Sequence, residues 1–205
     1  MKALPILAAL AACGLAVPFL ARAEAAAAPE PASIAAPAKT FQIDAVHSAI
    51  LFKIKHQGVA WNYGRFTEFS GEVVFDEADP AKSSVKIEVK ADSVDTSNAK
   101  RNQHVMSPDF FDVKQFPTLS FESTSVAKKG GTWTVEGNLE FHGTNKKITV
   151  EFEKTGEGPG RGGATVAGFH AEFEIKRSDY GIDFMIGPLS DEVGIIISLE
   201  AGSRE

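Results

Sequence analysis

From Thr40 onward, apolar and polar side chains alternate with period two. This is the spacing of a strand that buries one face and wets the other. Ile50, Phe52, Ile54 and His56 alternate with Leu51, Lys53 and Lys55. The same pattern runs through Phe69, Gly71, Val73 and Phe75, and through Val85, Ile87, Val89 and Ala91. It recurs in Leu119, Phe121 and Ser123; in Trp133, Val135, Gly137, Leu139 and Phe141; and in Ile148, Val150 and Phe152. Phe169, Ala171, Phe173 and Ile175, then Val193, Ile195, Ile197 and Leu199, complete eight predicted strands. A short lead-in strand is expected over Phe41–Val46. Turn signals separate the runs: Asp79-Pro80, Lys129-Gly130-Gly131, His142-Gly143-Thr144-Asn145 and the stretch from Gly156 to Gly163.

Two segments break the pattern. Thr96 to Gln115 is polar and then carries Phe110 and Phe111. Thr96 or Ser97 is positioned to cap a short helix ending near Met106, before Pro108. Arg177 to Asp191 is a long loop with Gly181, Gly187 and Pro188. Connections this long usually serve a purpose, such as a lid or pocket mouth.

One-faced strands belong to antiparallel sheets, so the fold class is all-β. Eight of them pack as a sandwich or close into a barrel. A barrel removes both edges and has an interior just wide enough for side chains or one small ligand. The two long loops and the scarcity of inward Leu favour the eight-stranded antiparallel β-barrel, with a short helix in a long loop. The inward set mixes rings with Gly71, Ala91, Ser123, Gly137 and Ala171. Small residues either make room for a neighbour's ring or leave a void. A void lined by Phe, Val and Ile would be dry and suit an apolar guest.

Composition sharpens this picture. The 205 residues include 15 Phe but only 2 Tyr and 2 Trp, so apolar aromatic area outweighs hydrogen-bonding aromatics. Hydrophobic residues at 43% and charged residues at 23% exclude a wholly disordered chain. A formal net charge of −6 argues against a nucleic-acid partner, which needs a basic face. The apolar run Leu4–Leu20, followed by Ala21-Arg22-Ala23, reads as a secretory signal peptide over residues 1–23, cut after Ala23. Pro5, Gly14 and Pro18 break it as a membrane span. Leu10-Ala11-Ala12-Cys13 offers a second reading, a lipobox with Cys13 lipidated. The apolar run continuing to Leu20 argues for ordinary cleavage. Cleavage removes the sole cysteine, leaving no thiol or disulfide chemistry. Residues 24–39, with Pro29, Pro31 and Pro37, read as an Ala/Pro-rich flexible tail. The domain is expected over residues 40–205.

Several short motifs keep a fixed order along the chain. They are Ile43-Asp44-Ala45-Val46-His47-Ser48, Lys55-His56-Gln57-Gly58-Val59, Gly64-Arg65-Phe66 and Ser107-Pro108-Asp109-Phe110-Phe111-Asp112 with Phe116-Pro117-Thr118. Phe121-Glu122-Ser123-Thr124-Ser125, Arg177-Ser178-Asp179-Tyr180-Gly181 and Asp191-Glu192-Val193 follow. In these residues the chain resembles the YceI-like, polyisoprenoid-binding periplasmic proteins. Gln57 stands where that family usually has an apolar residue, and Met106 where a basic one is common. The resemblance implies a lipocalin-like barrel around a hydrophobic tunnel, and a periplasmic protein that binds or carries a long isoprenoid lipid such as a quinone tail or polyprenyl chain. It implies no cofactor beyond that ligand, no enzymatic activity, transient contact with a membrane surface for ligand exchange, and a homodimer as a candidate assembly. Burying one CH2 is worth about 0.8 kcal/mol, so a five-carbon unit offers roughly 4 kcal/mol. Eight units would exceed the affinity ceiling of about 18–21 kcal/mol. Ordering the chain must therefore cancel much of the gain. The expected ligand contacts are Phe52, Phe69, Phe75, Val89, Phe110, Phe111, Phe121, Leu139, Phe141, Phe169, Phe173 and Ile195. Phe110, Phe111 and Phe116 are expected to form a lid.

Polar chemistry is sparse. His47, His56, His104, His142 and His170 show no HxH, HExxH or CxxC spacing. Hydrogen bonding at strand bends or barrel ends is the expected role of His47 and His56. His104 and Asp109 flank the Phe110-Phe111 pair, where they could polarise a quinone head group. The alternative function is a metal protein or enzyme using His47, His56 and His104 on a quinone-like ligand. No G-x-S-x-G elbow occurs. Asp76, Glu77 and Asp79 read as a solvated turn, and Arg65, Arg101 and Arg177 as salt-bridge partners that hold loops on the barrel.

Overall fold

The computed structural model describes residues 38–203. The expected signal peptide, Cys13 and all but the last two residues of the expected tail lie outside them. Eleven strand segments share one antiparallel sheet. β1 (Lys39–Ile43) and β2 (Ala49–His56) form one bent stave, and β3 (Ala60–Phe66) and β4 (Phe69–Phe75) form the next. β5 (Ser84–Lys90) and β6 (Val94–Asp95) are the third. β7 (Thr118–Lys129), β8 (Thr132–Phe141), β9 (Thr144–Pro159), β10 (Thr165–Lys176) and β11 (Leu189–Ser203) follow as a meander. β1 closes the ring: Phe41 pairs with Val73 of β4 on one side and with Ser203 of β11 on the other. The result is a closed barrel of eight staves.

The first stave bends because of the motif Asp44-Ala45-Val46-His47-Ser48. Asp44 Oδ1 accepts the Val46 amide at 2.9 Å, and Asp44 Oδ2 meets His47 Nδ1 at 2.8 Å. Ser48 Oγ and the Glu200 backbone bond each other in both directions, at 3.2 and 2.9 Å. These contacts let β11 pair with β2 along Val193–Ser198 and with β1 along Ala201–Ser203. β8 and β9 meet in a two-residue turn in which His142 and Gly143 both have positive φ, 51° and 70°. This left-handed pair matches the twist of a tight hairpin, and glycine adopts it at little cost.

Strand β3 was absent from the sequence pattern. Its outward face carries Trp61 and Tyr63, while Asn62 and Gly64 alternate with them. Aromatics outside and small or polar residues inside invert the usual signal. α1 spans Ala99–Val105, and its N-cap is Asn98, whose side chain accepts the Arg101 amide at 3.0 Å. Thr96 and Ser97, the expected caps, do other work. Buried Thr96 donates its amide to Asn102 Oδ1 at 2.8 Å, and Ser97 turns the chain at φ 60°.

Candidate functional site

Inward positions of all eight staves border one cavity of about 550 Å³, within the range of small-molecule pockets. One end is packed shut. Phe75 lies 4.7 Å from Trp133 and 5.5 Å from Phe169, centroid to centroid, and Phe41 lies 6.3 Å from Phe169. Above this aromatic floor the wall is Ile50, Phe52, Val89, Phe121, Phe173 and Ile195, among others, almost all apolar. The small inward residues serve two purposes. A Cβ on Gly64 would run into the Phe52 ring, and one on Gly137 into the Phe121 ring. Ala171 instead borders the open space.

The other end is built by three segments that the strand pattern left out. The β2–β3 hairpin, residues 96–117 with α1, and the β10–β11 loop all meet there. Asn62, Tyr63, His56, Arg101, His104 and Met185 line the cavity at this mouth. The motif Ser107–Asp112 forms consecutive turns: the Phe110 amide donates to Ser107 O, and the Phe111 amide to Val105 O, each at 3.0 Å. This geometry aims both rings inward. Phe111 stacks on Phe66 at 5.9 Å and meets Phe141 edge-on at 5.3 Å. Phe110 packs edge-on against Phe184 at 5.5 Å.

Arg177 holds the loop on the opposite side of the mouth. Only 3% exposed, it donates Nε to Ser190 O at 3.0 Å, and Nη1 to Ile182 O at 2.9 Å and Phe184 O at 2.7 Å. Burial pulls its pKa below the ordinary arginine value, while the charges of Asp191 and Asp183 act the other way. Ser178 caps the arrangement through Asp191, with its amide at 2.9 Å and its Oγ at 2.7 Å. Asn102 and Thr96 secure the α1 side, and Arg101 donates to the Thr96 hydroxyl at 2.9 Å and to the Thr96 carbonyl.

Eleven of the twelve anticipated contact residues line this cavity: Phe52, Phe75, Val89, Phe110, Phe111, Phe121, Leu139, Phe141, Phe169, Phe173 and Ile195. Phe69 does not. It sits where the stave bends between β3 and β4, and packs against the core rather than the void. Phe116 is not part of a lid. Its ring lies 4.6 Å from His142, over the β8–β9 turn. Arg65 pairs with Asp95 at 3.3 Å, as expected. Arg101 and Arg177 make no salt bridge among the described residues and bind backbone carbonyls or a hydroxyl instead. Asp76 is buried rather than solvated, and its Oδ1 accepts the amides of Ala78 and Asp79.

The histidines are dispersed. His47 belongs to the β1–β2 bend with Asp44 and Glu200, a trio whose donor atoms lie within 4.8 Å of one another and outside the cavity lining. The hydrogen bond with Asp44 raises the His47 pKa, and the same bond lowers that of Asp44. His56 and His104 line the mouth, and His104 Nε2 meets Asp109 Oδ2 at 2.9 Å. His142 Nδ1 bonds Tyr180 O at 2.9 Å. The three histidines proposed for metal or redox chemistry are not brought together.

Comparison with known proteins agrees with this geometry. A UPF0312 protein of Yersinia enterocolitica is 42% identical over 154 residues, covering 75% of this chain and 80% of its own length. A UPF0312 protein of Pseudomonas aeruginosa is 40% identical over the same length, covering 75% of this chain and 81% of its own. Among solved structures, Burkholderia cenocepacia BcnA superposes with a TM-score of 0.72 at 28% identity, covering 78% of this chain and 99% of that one. A polyisoprenoid binding domain from Saccharophagus degradans shares the fold, with a TM-score of 0.60 at 16% identity, covering 80% of this chain and 98% of that one. The family model for the YceI-like domain matches residues 41–201, and the chain therefore belongs to the YceI-like family.

Proposed function

We propose that this protein binds a long isoprenoid chain, a polyprenyl lipid or a quinone tail, inside the barrel, and carries or stores it outside the cytoplasm. The carrying observation is the roughly 550 Å³ cavity with an apolar wall, shut at one end by aromatic rings, with polar groups at the mouth. Such a site recognises width and length more than head-group chemistry, because burial of methyl and methylene groups supplies the affinity. The polyisoprenoid binding domain that shares the fold supports the same class of ligand. The export-type start of the sequence, Leu4–Leu20 followed by Ala21-Arg22-Ala23, supports a periplasmic location. Membership of the YceI-like family and the fold shared with a polyisoprenoid binding domain favour a binding role. Solvent extraction of the protein purified from its native source, followed by mass identification, tests this. A recovered isoprenoid is the expected result. An empty extract, together with no uptake of added polyprenol, overturns it.

A further inference from the structure

Seven large hydrophobic side chains are notably exposed among the described residues, and six of them come from two segments that meet at the cavity mouth. Val59 (83% exposed), Trp61 (45%) and Tyr63 (58%) come from the β2–β3 hairpin and β3. Phe184, Met185 and Ile186 come from the β10–β11 loop. The Gln57 amide donates to Pro188 O at 2.7 Å and holds the hairpin tip against that loop. Tyr63 and Met185 are exposed and also border the cavity, so the patch adjoins its mouth. A clustered apolar patch of this kind marks an interaction site.

The charges around the patch select its partner. The Lys53 and Lys55 ammonium groups lie 5.4 and 5.6 Å from the Trp61 ring centroid, on the same outer face. Neither makes an ion pair with another described residue. Of the nearby carboxylates, Asp109 pairs with His104, Asp179 with Lys146 at 3.1 Å, and Asp191 with Ser178, while Asp183 acts on the buried Arg177 and Glu192 is exposed on β11 without an ion pair to a described residue. In a chain of net charge −6, Lys53 and Lys55 put positive charge beside the aromatic side of the opening. Trp and Tyr favour the membrane–water interface, and lysines there are drawn to anionic head groups.

We propose that this mouth surface docks on a bilayer carrying anionic lipid, so that the isoprenoid passes between membrane and barrel without crossing water. The docking rests on the cavity function proposed above. Lys53 and Lys55 brought against the same pair in a second copy would repel it, which sets a lipid surface above a self-association surface.

Vesicle flotation tests the docking. Vesicles of phosphatidylcholine alone are compared with vesicles that also contain phosphatidylglycerol, and tryptophan emission is followed in parallel. Trp133 is buried in the floor, so a blue shift on binding reports Trp61 and is lost in Trp61→Phe. Flotation with the anionic vesicles is expected. Lys53→Gln/Lys55→Gln should weaken it about fivefold per lysine. Val59→Ser/Ile186→Ser, at two exposed side chains outside the cavity lining, should weaken it by about tenfold or more. Uptake of a polyprenol added from ethanol without vesicles reads the cavity separately. Protein that takes up polyprenol but neither floats nor shifts its emission overturns the docking and leaves the cavity function standing. Equal flotation of wild type and both variants overturns it too. So does a soluble dimer in which Trp61 is shielded from quencher with or without vesicles. Failure of polyprenol uptake removes the cavity function itself.

Discussion

Replacing Arg177 with methionine tests how the mouth is held open. The guanidinium is 3% exposed and makes three hydrogen bonds of 2.7–3.0 Å to the carbonyls of Ile182, Phe184 and Ser190. Each bond is worth about 1–1.5 kcal/mol net, and a carbonyl left buried without a partner costs a similar amount. Their loss sums to roughly 3–4.5 kcal/mol. Methionine recovers part of the cost of burying a cation, which leaves a net loss of about 2–4 kcal/mol. For a domain of this size each kcal/mol moves Tm by about 2–4 °C, so a fall of roughly 5–15 °C is expected by calorimetry. Arg177→Lys should keep most of that fall, because one ammonium cannot span three carbonyls in the geometry of a planar fork. Hydrogen exchange should rise first in residues 182–189, before the barrel staves. A Tm within about 2 °C of wild type, with unchanged exchange in that loop, would show that the carbonyl clamp contributes little.

Other substitutions probe the interior and the bend. Gly64→Ala should push the Phe52 ring into the void, costing about 1–3 kcal/mol or less by overpacking while weakening polyprenol uptake; unchanged uptake and stability would contradict the close approach. Phe173→Asp places a carboxylate on the dry wall and should abolish uptake, read by native mass spectrometry, whereas retained loading would place that position away from the ligand. His47→Gln should cost stability mainly between the ordinary values of the two partners, 3.8 for Asp44 and 6.5 for His47. The raised His47 contributes fully below its unfolded value and is lost as pH rises through its folded one. The lowered Asp44 contributes above its unfolded value and is lost as pH falls through its folded one. Chemical denaturation at about pH 5.5 and about pH 9 should therefore show a larger deficit at the lower pH, and an equal deficit would refute the pairing.

The barrel was legible because its signal is local. Strands such as Phe169–Ile175 write their facing directly into alternate residues, and all eight staves contain at least one such run. β3 was hidden because Trp61 and Tyr63 point outward while Gly64 yields its inward space to Phe52 on the neighbouring strand. Period two cannot distinguish a core from a mouth, or record a ring borrowed from a partner strand. Phe69 and Phe116 were misplaced for a related reason. Phe69 opens an alternating run and Phe116 ends a polar loop, but the stave bend and the β8–β9 turn divert them from the void. Arg177 and Asp76 mark another limit. Their partners are backbone groups brought close by turns, and no side-chain pattern announces such contacts. The cavity's existence depended on whether Gly64, Gly137 and Ala171 leave space or cede it, and the structure shows both.

The most direct measurement is a crystal structure of the protein after loading with an eight-unit polyprenol. Continuous tubular density is expected between Phe52, Phe121, Phe173 and Ile195, starting above the Phe75–Trp133 floor and leaving past Tyr63 and Met185. Those side chains collapsed onto one another across the barrel axis, with the polyprenol absent or held only on the outer surface, would contradict the hollow barrel.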